Sequence, residues 1–221
     1  MLLSDFDYTL PEELIAQEPL EQRDKSRLLV VDRSGGTVEH RMFSDILDYL
    51  RDDDLMVFNN TRVTAVRLPG SKESGGRVEA LLMRKISEGV WQAMVRPGRR
   101  ISDGTRLIFD KGLAATAIDR DTSGQRTLCF EGGAEADRII AEVGEVPLPP
   151  YIHKRLIDPE RYQTIYAAEG GSTAAPTAGL HFTPAVFEKI SARGIRIAYV
   201  TLHVGIATFR PVRTENIEDH E

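Results

Sequence analysis

The sequence predicts an α+β chain in two domains, with a middle segment of short strands interrupting a mixed α and β segment. Three observations lead there. From Val63 the chain turns into short apolar runs separated by Gly and Pro pairs, the texture of a small barrel or sandwich. At 144–152 it reads GEVPLPPYI, where Pro147, Pro149 and Pro150 make a stiff, extended return to the first segment. Beyond that return, a helical pattern and a strong strand pattern reappear.

Taken in order, Pro11 with Glu12 and Glu13 suits the first turn of a short helix. RLLVVD at 27–32 reads as a buried strand. SGG at 34–36 turns it, and 37–43 returns as the second arm of a hairpin. Ser44 is expected to cap a helix carrying Ile46, Leu47 and Leu50 on one face, ended by Asp52, Asp53 and Asp54. Residues 55–58 form an apolar strand running into Asn59-Asn60-Thr61-Arg62.

In the middle segment, strands are predicted at 78–83, 90–95, 106–109, 114–118 and 127–130. Turns are expected at Pro69-Gly70, Gly75-Gly76, Pro97-Gly98, Asp103-Gly104 and Ser123-Gly124. A helix over 134–143 points Ile139 and Ile140 inward and stops at Gly144. After RYQTIYA at 161–167 comes GGSTAAPTAGLHFTP at 170–184, nearly all small residues, which allow close backbone approach. Thr183 and Pro184 read as the N-cap and first position of a helix carrying Val186, Phe187 and Ile190, with Gly194 as its stop. Residues 195–204 read as one strand closed by Gly205, with His203 and Val204 on opposite faces. TFRPV at 208–212 follows.

Composition sets the class. The 221 residues are 41% hydrophobic and 28% charged, as in an ordinary soluble globular protein of one or two domains. Cys129 stands alone, so no internal disulfide and no cysteine-rich zinc site can form, which fits a reducing cytoplasm. No apolar run approaches membrane-span length, and the first residues lack the pattern of a signal peptide. Net charge is −6, against a generic nucleic-acid binder. The segment 63–133 nevertheless holds 12 Lys/Arg against 8 Asp/Glu, so it can meet a polyanion locally or simply be a solvated surface.

Two stretches invite a site. Asn59, Asn60, Thr61 and Arg62 offer amides, a hydroxyl and a guanidinium past a strand end, suited to a base edge or ribose hydroxyls, or to an ordinary Asn turn. The small-residue stretch puts His181 before a helix N-terminus, where free N–H groups favour anions, or else it is a tight crossing of two elements. Of the five histidines, His181 and His203 are the two at element ends, where an acid or base can work. Arg96, Arg99 and Arg100 form the most basic knuckle. No dinucleotide or phosphate-loop glycine pattern occurs, and no His/Asp/Glu cluster has metal-ligand spacing.

Motifs in chain order go further: SRLLV at 26–30, NNTRV at 59–63, GEVPLPPYI at 144–152, YQTIYA at 162–167, AAPTAGLHF at 174–182 and TLHVG at 201–205. With these the chain closely resembles the S-adenosylmethionine:tRNA ribosyltransferase-isomerase family of queuosine synthesis. It departs at Ala207-Thr208-Phe209, where the family usually has Gly-Thr-Phe, and family members continue past Glu221, so a truncated member is expected.

The resemblance implies a discontinuous, barrel-like α+β larger domain, 1–62 and 150–221, with an inserted small β-barrel domain at 63–149. It implies transfer and isomerisation of the ribosyl part of S-adenosylmethionine onto 7-aminomethyl-7-deazaguanine at the tRNA wobble position. Epoxyqueuosine, adenine and methionine would be the products. S-adenosylmethionine is then a co-substrate and tRNA the partner, with no metal and no membrane, in a cytoplasmic monomer. His181 or His203 would transfer protons. Asn59, Asn60, Thr61 and Arg62, with Thr177, Ala178, Gly179, Leu180 and Phe182, would hold substrate, and Arg96, Arg99 and Arg100 would meet the tRNA backbone.

Overall fold

A computed structural model describes residues 1–209, 212 and 214–220. Arg210 and Pro211, within the TFRPV stretch, lie outside the described residues.

The middle of the chain closes on itself. Strands β5 (Val66–Lys72), β6 (Arg77–Ser87), β7 (Val90–Arg96), β8 (Arg106–Phe109), β9 (Ala114–Arg120) and β10 (Arg126–Phe130) form a closed barrel in the order β10-β7-β6-β5-β8-β9. Every pairing is antiparallel. The period-2 alternation sends Leu68, Leu82, Leu107 and Leu128 inward beside Ala80, Ala93, Ala115 and Ala117, all essentially solvent-free. Alternating large and small side chains suit so narrow an interior. Helix α1 (Ala134–Val143) adds Ala136 and Ile140 to that core. Asp137 fastens the helix: its carboxylate accepts from Gly89 N at 3.1 Å and Trp91 Nε1 at 2.8 Å, and pairs with Lys85 Nζ at 2.7 Å.

The sequence misses β5, because Pro69-Gly70 reads as a turn. Both residues lie inside the strand, opposite Glu79 and Val78. Gly70 is required there by packing: a Cβ would stand 2.5 Å from the Phe109 ring and from Ile108 O.

Outside the barrel, the described strands form three two-stranded ladders rather than a second barrel. β1 (Arg27–Asp32) and β2 (Thr37–Met42) make the expected hairpin. It is not buried, since Leu29 and Val31 are 57% and 56% exposed. β3 (Leu55–Asn59) pairs in parallel with β12 (Arg196–Val200), and β4 (Thr61–Val63) in parallel with β11 (Glu169–Ser172). The helix expected after Ser44 is a 3-10 helix, Phe43–Tyr49. Ser44 does not cap it; the Asp45 carboxylate reaches back to Met42 N at 3.0 Å.

Helix α2 (Pro184–Ala192) begins as read, with Thr183 Oγ1 accepting from Val186 N at 3.3 Å. Val186 and Ile190 are buried with Phe43, Phe58 and Phe182. Gly194 follows at φ +74°, the left-handed position that favours glycine. A further cluster of Val63, Tyr162 and Ala175 packs against Val146 and Leu148 of the proline-rich return. The two ends of the chain meet, with Leu3 N donating to Glu215 O at 2.8 Å.

Candidate functional site

The first stretch singled out in the sequence meets only the start of the second, at 170–172. β3 runs into Asn60 and then β4, and each is paired by a strand from the second half of the chain, β12 and β11. Residues 59–62, 169–173 and 201–204 therefore meet at one junction.

Strand β12 ends at Val200, four residues earlier than the apolar pattern suggests. Asn59 takes over. Its Nδ2 donates to Leu202 O at 2.8 Å, and its Oδ1 accepts from Leu202 N at 3.0 Å and Thr61 N at 3.1 Å. A side-chain amide thus does the work of a strand neighbour, and 201–205 leaves the ladder. His203 and Val204 consequently do not alternate across a sheet. Asn60 Oδ1 accepts from Thr201 Oγ1 at 2.7 Å, and Asn60 O accepts from Ala168 N at 2.8 Å.

Thr61 is fully buried. Its Oγ1 lies 2.8 Å from His203 Nδ1 and 2.9 Å from Ser172 Oγ, and Ser172 Oγ accepts from Val204 N at 2.7 Å. The His203 ring lies over Gly171, where a Cβ would stand 2.9 Å from Cε1 and Nε2. Gly171 and Ser172 lie within the small-residue stretch, but nothing local gives them a role of their own, because their partners are 32 to 111 residues away.

The second stretch behaves differently. Residues Thr177–His181 form a 3-10 turn, in which Gly179 N bonds Pro176 O at 2.8 Å and Phe182 N bonds Gly179 O at 3.3 Å. Those two amides are spent within the turn. Thr177 and Ala178 are exposed, Leu180 is half-buried and Gly179 is buried against Tyr166. Phe182 is core, edge-on to Phe43 and Phe58 at 4.9 Å each. His181 is half-buried with its ring 5.1 Å from that of Phe43. Arg23 braces the turn from below, donating to Leu180 O at 3.1 Å and Gln163 O at 2.9 Å. Burial pushes the Tyr166 phenol up to about 12, helped by nearby Tyr199, so it is a neutral hydroxyl at ordinary pH.

Arg62 is ion-paired with Glu160. Arg96, Arg99 and Arg100 are exposed on the barrel, the last two in a 3-10 turn. A groove of ≈ 840 Å³ links regions: Arg96, Glu79 and Arg67 of the barrel line it with Pro147 to Pro150, Arg155 and Ile206. Neither His181 nor His203 lines it, but Ile206 lies three residues beyond His203. Among the described residues no group of three or more His, Cys, Asp or Glu is placed to hold a metal ion. No helix among them is long and apolar enough to cross a membrane.

Comparison with known proteins settles the lineage. A family model described as queuosine biosynthesis protein matches residues 3–221. The chain belongs to that family. Its similarity to curated members extends over its whole length: 49% identity to the S-adenosylmethionine:tRNA ribosyltransferase-isomerase of Acetivibrio thermocellus and 51% to that of Halothermothrix orenii. The enzyme of the same name from Thermotoga petrophila is 50% identical. The chain spans 65% of the length of each of these relatives. A crystal structure of the S-adenosylmethionine tRNA ribosyltransferase from Thermotoga maritima is 38% identical, over 90% of this chain and 58% of that one, with a TM-score of 0.37.

Proposed function

We propose that this chain carries the ribosyl-transferring site of an S-adenosylmethionine:tRNA ribosyltransferase-isomerase. The substrate is tRNA bearing 7-aminomethyl-7-deazaguanine at the wobble position. The product is epoxyqueuosine, and adenine and methionine leave. The observation that carries this reading is identity of about one half, along the entire chain, to enzymes of that name. The domain organisation that goes with it is a larger unit, 1–62 and 150–221, interrupted by the barrel unit at 63–149. The closed strand order of β5 to β10 supports that division.

The chemistry asks for a proton acceptor and a proton donor in a site closed to water. The sulfonium of S-adenosylmethionine acidifies the C5′ hydrogens, so a base removes one. The aminomethyl nitrogen attacks C1′ and gives up a proton, the bond from C1′ to adenine breaks with adenine taking up a proton, and rearrangement of the C5′ carbanion breaks the C5′–S bond and expels methionine. His181 or His203 supplies these transfers. Arg62, Asn60 and the turn at Thr177, Ala178 and Leu180 face the substrate. Asn59, Thr61, Gly179 and Phe182 support them from within, given that their side chains or backbone are already engaged. Arg96, Arg99 and Arg100 meet the tRNA backbone. The setting is cytoplasmic and the chain acts as a monomer.

The test mixes this chain with S-adenosylmethionine labelled in the ribose and tRNA carrying the aminomethyl base, beside a full-length relative. Label in tRNA with adenine in solution is the expected result. No transfer from the folded chain, with the relative active, would leave a binding fragment in place of an enzyme.

A further inference from the structure

The proton-transfer role has so far been shared between two histidines. The hydrogen bonds around Thr61 separate them. Ser172 is fully buried, and its Oγ accepts from Val204 N at 2.7 Å. A buried hydroxyl proton needs an acceptor. Among the described residues, that of Ser172 has one, Thr61 Oγ1 at 2.9 Å. Ser172 therefore donates to Thr61. Thr61, itself solvent-free, must then place its own proton. Two acceptors remain: His203 Nδ1 at 2.8 Å and Glu169 O at 3.4 Å. Hydroxyl hydrogen bonds run at about 2.5–3.0 Å, so the proton goes to Nδ1.

We infer that the chain Val204 N–H, Ser172 Oγ–H, Thr61 Oγ1–H, His203 Nδ1 fixes neutral His203 with its proton on Nε2. A neutral imidazole has one donor and one acceptor nitrogen, and here the acceptor is consumed inside the protein. The ring edge over Gly171 is then a hydrogen-bond donor with no lone pair to offer. His203 gives a hydrogen bond to an acceptor atom of the reacting nucleoside and does not serve as the base. Thr61 and Ser172 are positioning residues, acting through His203. The role of His203 toward substrate rests on the function proposed above; the tautomer does not.

Long-range nitrogen–proton correlation spectra of the histidine-labelled chain, taken at alkaline pH, read the tautomer directly. A His203→Asn variant assigns the ring. The expected pattern is a bare Nδ1 and a protonated Nε2. Thr61→Val should lose that preference and Thr61→Ser should restore it, while Ser172→Ala, a smaller change at the same chain, should weaken it. A protonated Nδ1 in the native chain would overturn the inference whatever the variants do. A Thr61→Val ring with the native pattern would remove Thr61 as its cause. Turnover is not needed for either outcome, so failure of the proposed reaction and failure of the tautomer are separable. In an active chain, His203→Gln, which keeps an N–H donor, should retain more turnover than His203→Phe.

Discussion

Asn59 and Leu202, 143 residues apart in sequence, close a ring of two hydrogen bonds, carboxamide to peptide, at 2.8 and 3.0 Å. The strand pair β3–β12 has ended by then, so side chains take over: this ring holds Leu202, while Asn60, Thr61 and Ser172 hold Thr201, His203 and Val204. Asn59→Ala should cost about 1–3 kcal/mol, the range for unpaired polar groups. Urea denaturation measures that loss, and faster hydrogen exchange at the Leu202 amide would localise it. Unchanged exchange there would mean the segment is held by other contacts.

Gln163 makes the same kind of ring deeper in the protein. Its Oε1 accepts from Val63 N at 3.0 Å and its Nε2 donates to Val63 O at 2.9 Å, with the side chain buried. Gln163→Leu keeps the volume but strands both backbone groups. A loss of about 1–3 kcal/mol for each stranded group is expected, read as a drop in the urea midpoint. The larger loss belongs here rather than at Asn59, because water can replace the lost partner more readily near the surface.

Asp137 gives a pH signature. Burial, the largest influence, works against its charge, but Lys85, Trp91 and Gly89 together outweigh it and hold the carboxyl below its ordinary range. A depressed folded value means the stabilisation is present above the ordinary aspartate value of about 3.9 and is lost as pH falls through the folded value. Asp137→Asn should therefore be less stable than the native chain at pH 6, with the gap narrowing below about pH 4. Denaturation midpoints of the two proteins across that range provide the check.

Gly171 and Gly205 bracket the His203 environment with opposite expectations. A Cβ on Gly171 would overlap the His203 ring, and its φ of +143° already disfavours a side chain; on Gly205 a Cβ meets nothing within 4 Å. Gly171→Ala should displace the ring and lower turnover about tenfold or more, roughly 1.4 kcal/mol of barrier. Gly205→Ala should leave it near native. Equal effects would separate catalysis from the His203 ring.

The exposed arginines make a salt-dependence prediction. If Arg99 and Arg100 each neutralise a tRNA phosphate, Arg99→Ala with Arg100→Ala should lower the slope of log affinity against log salt by about 2. Filter binding at three or more salt concentrations suffices, and an unchanged slope would remove both from the interface.

Much of the fold was legible from local pattern. Residues 106–109 and 134–143 begin and end where periodicity and a Gly stop put them. The Thr183-Pro184 start of α2 is equally local, because an N-cap is a contact between residues three apart. Strand β5 was hidden because Gly70 answers to Phe109, a residue no local window contains. Likewise 195–204 kept its apolar character past Val200, while pairing stopped there for want of a strand neighbour beyond Asn59.

The sequence by itself determined the class of the chain, the barrel texture of its middle, the stiff return through Pro147 to Pro150 and, through its ordered motifs, the family. These are carried by short-range spacing and by residue identity. Tertiary structure alone decided that Thr61 is an interior hydroxyl, that Ser172 stands behind it, and that His203 rather than Val204 receives it. Those relations join points 111 to 142 residues apart. Their strength comes from burial and a few tenths of an ångström, quantities that no local pattern of residues encodes.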